Sequence, residues 1–342
     1  MGSVNEIIMY MRKYVIGAAI LGASAILFLV LTLTEPKHQG RTISAWQDDW
    51  ASKKAQGFPA ALQHIGTNAL PKVVRNLALN DSTWHRKYSS LRPKLPNLLQ
   101  RLFPKPKPCL DDGDAYTVFY NLGSNSIPCA IALLKHDSPT VRRAAAMGLA
   151  QLRKEYPAAN QAIPALIEAL SDADKVVRNC AAITLKDMGP DASNAVPALV
   201  KIVADTGSGP QTSSDPLTRA AAAGALGNMG PAAAAALPTL KLVLRESVSD
   251  LRGSAAVAIW RIDSDVDTAL PVLLEEIPRV DDISKWDWIV ALGEMGPSAK
   301  QAAPQLAKEL EQHHEKWFLN YVTNALKSID PEAAAETEVQ AR

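Results

Sequence analysis

Apolar residues recur along this chain at helical spacing, and the recurrence is itself periodic. A small residue, an apolar residue and a proline stand together at Pro71, Pro128, Pro164, Pro197, Pro238, Pro271 and Pro304, at intervals of 57, 36, 33, 41, 33 and 33 residues. Two positions after each proline come Val73, Ala130, Leu166, Leu199, Leu240, Leu273 and Leu306. Six positions after come Leu77, Leu134, Leu170, Val203, Leu244, Ile277 and Leu310. Residues four apart share one helix face. Proline is tolerated in the first turn, where its missing N–H has no partner to lose, so each of these prolines is expected to open a helix.

A second column starts the following helix. Arg86, Arg142, Arg178, Arg219, Arg252 and Lys285 align, and four residues before them stand Ser82, Ser138, Asp174, Asp215, Val248 and Asp281. All of these but Val248 are N-cap types. Alanine pairs follow at Ala145–Ala146, Ala181–Ala182, Ala222–Ala223 and Ala255–Ala256, and then a leucine or isoleucine. A face of such small residues lets neighbouring helices approach closely. The sequences "DMGP", "NMGP" and "EMGP", ending at Pro190, Pro231 and Pro297, stop this helix: glycine ends it and proline prevents its continuation. Each unit is thus an antiparallel helix pair. One pair cannot bury its own apolar face, but a stack can, and the expected fold is an all-α solenoid.

The P-x-L-x3-L helix, followed by D-x-x-V-R-x-x-A-A-x-x-L and Gly-Pro, resembles the HEAT repeat family, and within it the short HEAT-like repeats of bilin-lyase type in bacterial proteins. The resemblance runs from about Phe58 to Pro331. It implies a fold and leaves activity open, because solenoids host many functions. It also implies a ladder in which Asp and Arg pair between repeats. Asp172 and Arg178 match those positions, and Arg142, Arg219, Arg252 and Lys285 continue the basic column. In the last repeat Leu319 replaces the basic residue.

The N-terminus follows a different pattern. Tyr14 to Thr34 is uncharged over 21 residues, and about 20 apolar residues are what a helix needs to cross a bilayer. A signal peptide has a shorter apolar core and an A-x-A-like cleavage site, so an uncleaved single-pass transmembrane anchor is expected over residues 14–34. The basic flank of residues 1–13, Arg12 and Lys13, orients the N-terminus inwards and the body to the extracytoplasmic (periplasmic) side, although Lys37 and Arg41 make the far flank basic too. Beyond the anchor, residues 35–108 are read as a juxtamembrane segment with the first repeat and a proline-rich connector, 109–331 as the repeat array, and 332–342 as a frayed tail. Ser44 and Gln47 fit a capping box. Trp46 and Trp50 share a helix face, either at the headgroup level or packed in the first helix.

Charge is distributed unevenly. Residues 36–108 hold 13 Lys/Arg and 3 Asp/Glu, a net of +10, whereas residues 109–342 hold 21 and 30, a net of −9. An acidic array repels phosphates, which argues against nucleic acid. Three separated cysteines, Cys109, Cys129 and Cys180, make no metal or disulfide pattern, and Cys180 reads as a small buried apolar residue. The adjacent His313 and His314 point about 100° apart on a helix and do not form an i, i+4 ligand pair. No phosphate loop or nucleophile elbow is present. No catalytic, cofactor or metal residue is therefore assigned.

The remaining candidates lie on the second helix of each unit, away from its buried face. Arg143, Asn179, Asp187, Trp286, Asp287 and Glu294 fall there, and Trp260 lies late on its helix. Trp286 is an interface candidate, or else it fills an inter-repeat gap together with Trp288. The expected function is a non-catalytic, membrane-anchored scaffold for an unidentified protein. Two alternatives are a module for a charged polymer or anionic lipid surface through residues 36–108, and a HEAT-like lyase or cofactor chaperone.

Overall fold

The structure, a computed structural model, describes residues 35–51, 57–94, 110, 112–206, 215–312 and 315–340. The candidate anchor at 14–34, most of the proline-rich connector, Cys109, His313 and His314 lie outside the described residues. Among those that are described, no helix is long and apolar enough to cross a membrane. Contacts divide the chain between Leu122 and Gly123.

The first unit opens with a minimal antiparallel hairpin, β1 (Lys37–His38) and β2 (Arg41–Thr42), with Lys37 opposite Thr42. Gln39 and Gly40 both take positive φ, as a type I′ turn requires. Helix α1 (Ile43–Ala51) follows at once. Its cap differs from the expected box: Thr42 Oγ1 accepts from the Ala45 N–H at 3.3 Å and Glu35 accepts from the Ser44 N–H at 2.6 Å. The helix starts before Ser44, so Ser44 is already inside it. Trp46 is buried and donates to the His38 carbonyl, while Trp50 donates to Asp114. Both tryptophans are therefore packed within the protein. Helices α2 (Phe58–Ile65), α3 (Leu70–Ala78), α4 (Thr83–Leu91) and α5 (Asp112–Leu122) complete the unit. Asn76 and Asn80 clamp the peptide of Leu110 at 2.7 Å each, and α5 packs on α2. These contacts place α5 with the first unit.

The second unit is a stack of helix pairs: α6 (Ile127–Leu133) with α7 (Pro139–Glu155), α8 (Ile163–Ala169) with α9 (Lys175–Met188), and α10 (Val196–Ala204) with α11 (Pro216–Asn228). Next come α12 (Leu237–Val243) with α13 (Ser249–Asp263), α14 (Val266–Glu276) with α15 (Asp282–Met295), and α16 (Ala303–Gln312) with α17 (Lys316–Ile329). Ser138 and Asp174 cap α7 and α9 as expected, whereas the side chains of Asp215 and Val248 cap no backbone N–H. Pro128, Pro164, Pro197, Pro238 and Pro304 stand second in their helices. Pro271 departs from this rule: it lies inside α14, because Asp265 caps a start five residues earlier through the Thr268 N–H. Gly189, Gly230 and Gly296 end α9, α11 and α15 at φ near +60°, a region costly for residues with a Cβ. The expected frayed tail is instead helical, α18 (Pro331–Gln340), with Ala334 buried.

Small residues set the spacing of the second helices. A Cβ on Gly227 would stand 2.9 Å from the Ala258 Cα, so α11 and α13 are in near backbone contact. Between α13 and α15 the indole of Trp288 occupies the interval, and a Cβ on Gly253 would overlap it. Trp288 is thus the gap-filler and belongs to the core with Leu270, Leu273 and Ile289. Cys180 is buried, as its reading required.

The basic column joins successive repeats. Arg142 forms a two-pronged pair with Asp172 at 2.7 and 2.8 Å, and Arg219 does the same with Glu246 at 2.7 and 2.6 Å. Arg252 pairs with Glu275 and Glu276, and Lys285 with Glu309 at 2.6 Å. Asp172 serves a ladder between repeats as expected, binding Arg142 of the preceding repeat, while Arg178 donates to the Asp172 and Ala173 carbonyls. Stacking brings Arg142, Arg219, Arg252 and Lys285 each over an acid of the next repeat.

Candidate functional site

Helices α9, α11, α13 and α15 present one side to a common groove of about 1040 Å³. Ala220, Ala221, Gly227 and Ser254 line it, and side chains this small leave the space open. Apolar surface is contributed by Ile183, Leu217, Trp260, Trp286 and Val290. Leu217 is 59% exposed, unusual for a leucine on a packed helix, and Ile183 is also exposed.

Six of the seven candidate surface residues come together here: Asn179, Asp187, Trp260, Trp286, Asp287 and Glu294. Arg143 does not. Its guanidinium binds Asp174 at 2.6 and 3.0 Å, tying α7 to the cap of α9. That hydrogen bond holds the Asp174 carboxyl below its usual range, outweighing partial burial, with the capped N–H groups of Val176 and Val177 adding to it.

An ion-pair chain runs across the groove. Lys186 Nζ meets Asp287 Oδ2 at 2.6 Å, although 101 positions separate them in sequence. Arg261 donates to Asp287 at 3.0 Å, to Asn228 at 2.8 Å and to Glu294 at 3.3 Å. Asn228 in turn donates to the Lys186 carbonyl. The Lys186 stem lies over Gly224, where a Cβ would come within 3.3 Å of its Cδ. The absence of a side chain there gives the Lys186 stem room to lie along α11 toward α15. The same ammonium stands 5.9 Å from the Trp286 ring centroid, and Tyr321 also neighbours that ring at 5.7 Å.

Burial tends to raise the Asp287 carboxyl, but Lys186 and Arg261 outweigh it and hold the group below its usual range. Asp187 shows the opposite balance. Desolvation in the groove raises it, against the pull of Lys154 and Lys186, while part of the side chain stays open to solvent. The groove carries four carboxylates (Asp187, Asp250, Asp287 and Glu294) and two cations (Lys186 and Arg261), a net of −2. Two enclosed acceptors in it, Asn179 Oδ1 and Asp250 Oδ1, meet no hydrogen-bond donor among the described residues. No group of three or more His, Cys, Asp or Glu that could hold a metal occurs among the described residues.

Sequence reasoning missed Lys186, Arg261, Asn228, Asp250, Ile183 and Leu217. A signal for two of these was present. Asp187, Asn228, Arg261 and Glu294 all stand nine positions after their column base, so one aligned column contains the polar edge of the groove.

Comparison with curated proteins returns no match. Among solved structures, a chain from the complex of CpcE and CpcF of phycocyanin lyase from Nostoc sp. PCC7120 is similar at 24% identity, over 69% of this chain and 96% of that one, with a TM-score of 0.49. An engineered protein is similar at 19% identity, over 95% of this chain and 83% of that one, with a TM-score of 0.42. Residues 127–210, which span the helix pairs from α6 to α10, match the family of HEAT repeats.

Proposed function

We propose that the chain is a scaffold that holds a segment of a partner protein in the groove of α9, α11, α13 and α15. One observation carries this reading. The groove combines exposed apolar side chains, an acidic excess and two acceptors without donors, and a polypeptide with apolar and Lys/Arg side chains complements all three. The ion-pair chain holds the groove's sides in place before any partner arrives, which reduces the ordering cost of binding. The expected membrane anchor at residues 14–34 would fix this surface beside the bilayer, on the extracytoplasmic side.

The test compares proteins captured by the wild-type chain and by Leu217→Glu and Trp286→Ala variants of unchanged melting temperature. Leu242→Glu, an exposed change on α12, serves as control. Loss of a partner from the groove variants, but not from the control, supports the reading. Equal capture by all four contradicts it, as does a purified body that retains a stoichiometric coloured ligand in the groove.

A further inference from the structure

Helix α4 has no buried residue. Trp84, Tyr88 and Leu91 lie at i, i+4 and i+7, so they share one face. Trp84 is 70% exposed and Leu91 58% exposed. The two rings stack on each other, with centroids 5.0 Å apart and 9° between planes. From Ser82 to Lys94 the chain carries Arg86, Lys87, Arg92 and Lys94 and no acid, and Arg86, Lys87 and Lys94 are exposed.

We propose that this face of α4 docks on an anionic bilayer surface, with Trp84, Tyr88 and Leu91 at the headgroup boundary and Lys87, on the flank of that face, against the lipid charges. Indole and phenol rings favour the membrane interface, and neighbouring cations add attraction for anionic headgroups. Basic charge with aromatic rings also suits single-stranded nucleic acid, where bases stack on open ring faces. Here Trp84 and Tyr88 each close one face of the other, and the third member of the stripe is aliphatic. The long uncharged run at residues 14–34 of the same chain also favours a bilayer partner.

The test uses the full chain reconstituted into vesicles of phosphatidylcholine, alone or mixed with phosphatidylglycerol, and follows amide exchange over Thr83–Leu91. Slower exchange in the anionic vesicles, reversed by high salt, is expected. Lys87→Glu should weaken the contact of α4 with the anionic surface on the order of 10-fold or more and abolish the difference, whereas Arg86→Glu, on the opposite side of the helix, should change it less. Both side chains are exposed, so each variant should keep the wild-type circular dichroism. Brominated lipid should quench the fluorescence that Trp84→Phe removes. Equal exchange in the two lipids overturns the proposal. So does stronger protection of α4 by a single-stranded oligonucleotide than by anionic vesicles.

Discussion

Lys285 and Glu309 are both almost fully buried, and Gln305 adds a hydrogen bond to the Glu309 carboxylate. Desolvation offsets much of what such a pair gains, but one partner left alone is an uncompensated buried charge. Lys285→Ala should therefore cost about 3–5 kcal/mol in urea unfolding, whereas Lys285→Met combined with Glu309→Leu should recover most of that loss. Asp287 gives a pH signature. Its folded-state carboxyl titrates below the ordinary value of 3.8, so the stability it contributes is present above 3.8 and is lost as pH falls through the folded value. Asp287→Asn should flatten the acid limb of a melting-temperature profile and leave the slope near neutrality unchanged.

The glycines at the helix contacts are the sensitive points between elements. Gly253→Ala pushes a methyl into the Trp288 indole and should cost about 1–3 kcal/mol by overpacking. Adding Trp288→Leu to Gly253→Ala should relieve that strain, at the expense of the tryptophan's own burial, and a double-mutant cycle would show the coupling. The helix pairs themselves were legible, because the period of the apolar positions runs through every pair from Pro128 onwards, with the caps Ser138 and Asp174 and the Gly-Pro stops of α9, α11 and α15 supporting it. The ladder was legible on its basic side and, among its acids, at Asp172. Its acids stand eight positions after the helix proline in Asp172 and Glu246 but five after it in Glu276 and Glu309, so a search for one motif found only the first. Trp286 and Trp288 lie two positions apart, about 200° around the helix. Sequence could not decide which faces the stack; Gly253, which alone leaves room for an indole, decides it. Pro271 was misread because Asp265, an upstream cap, competes with proline as the start signal.

For the molecule as a whole, the stack converts a repeated sequence into a non-repeated surface. Lys186 reaches Asp287 across α11 and α13 because the repeats superpose their helix ends, a contact that local sequence cannot show. The groove depends on that superposition. Lys186→Ala should weaken partner binding more than it lowers stability, since the pair is partly exposed and such pairs contribute about 1 kcal/mol or less. Comparing partner affinity with melting temperature in this variant would check that ordering. The central claim is that the groove, and not the outer face, receives a protein. It is tested most directly by placing a photo-crosslinking amino acid at Leu217 in one chain and at Leu242 in another, in native membranes. The account predicts a discrete protein adduct from position 217 and none from position 242. Equal adducts from both positions, or an adduct only from 242, would contradict it.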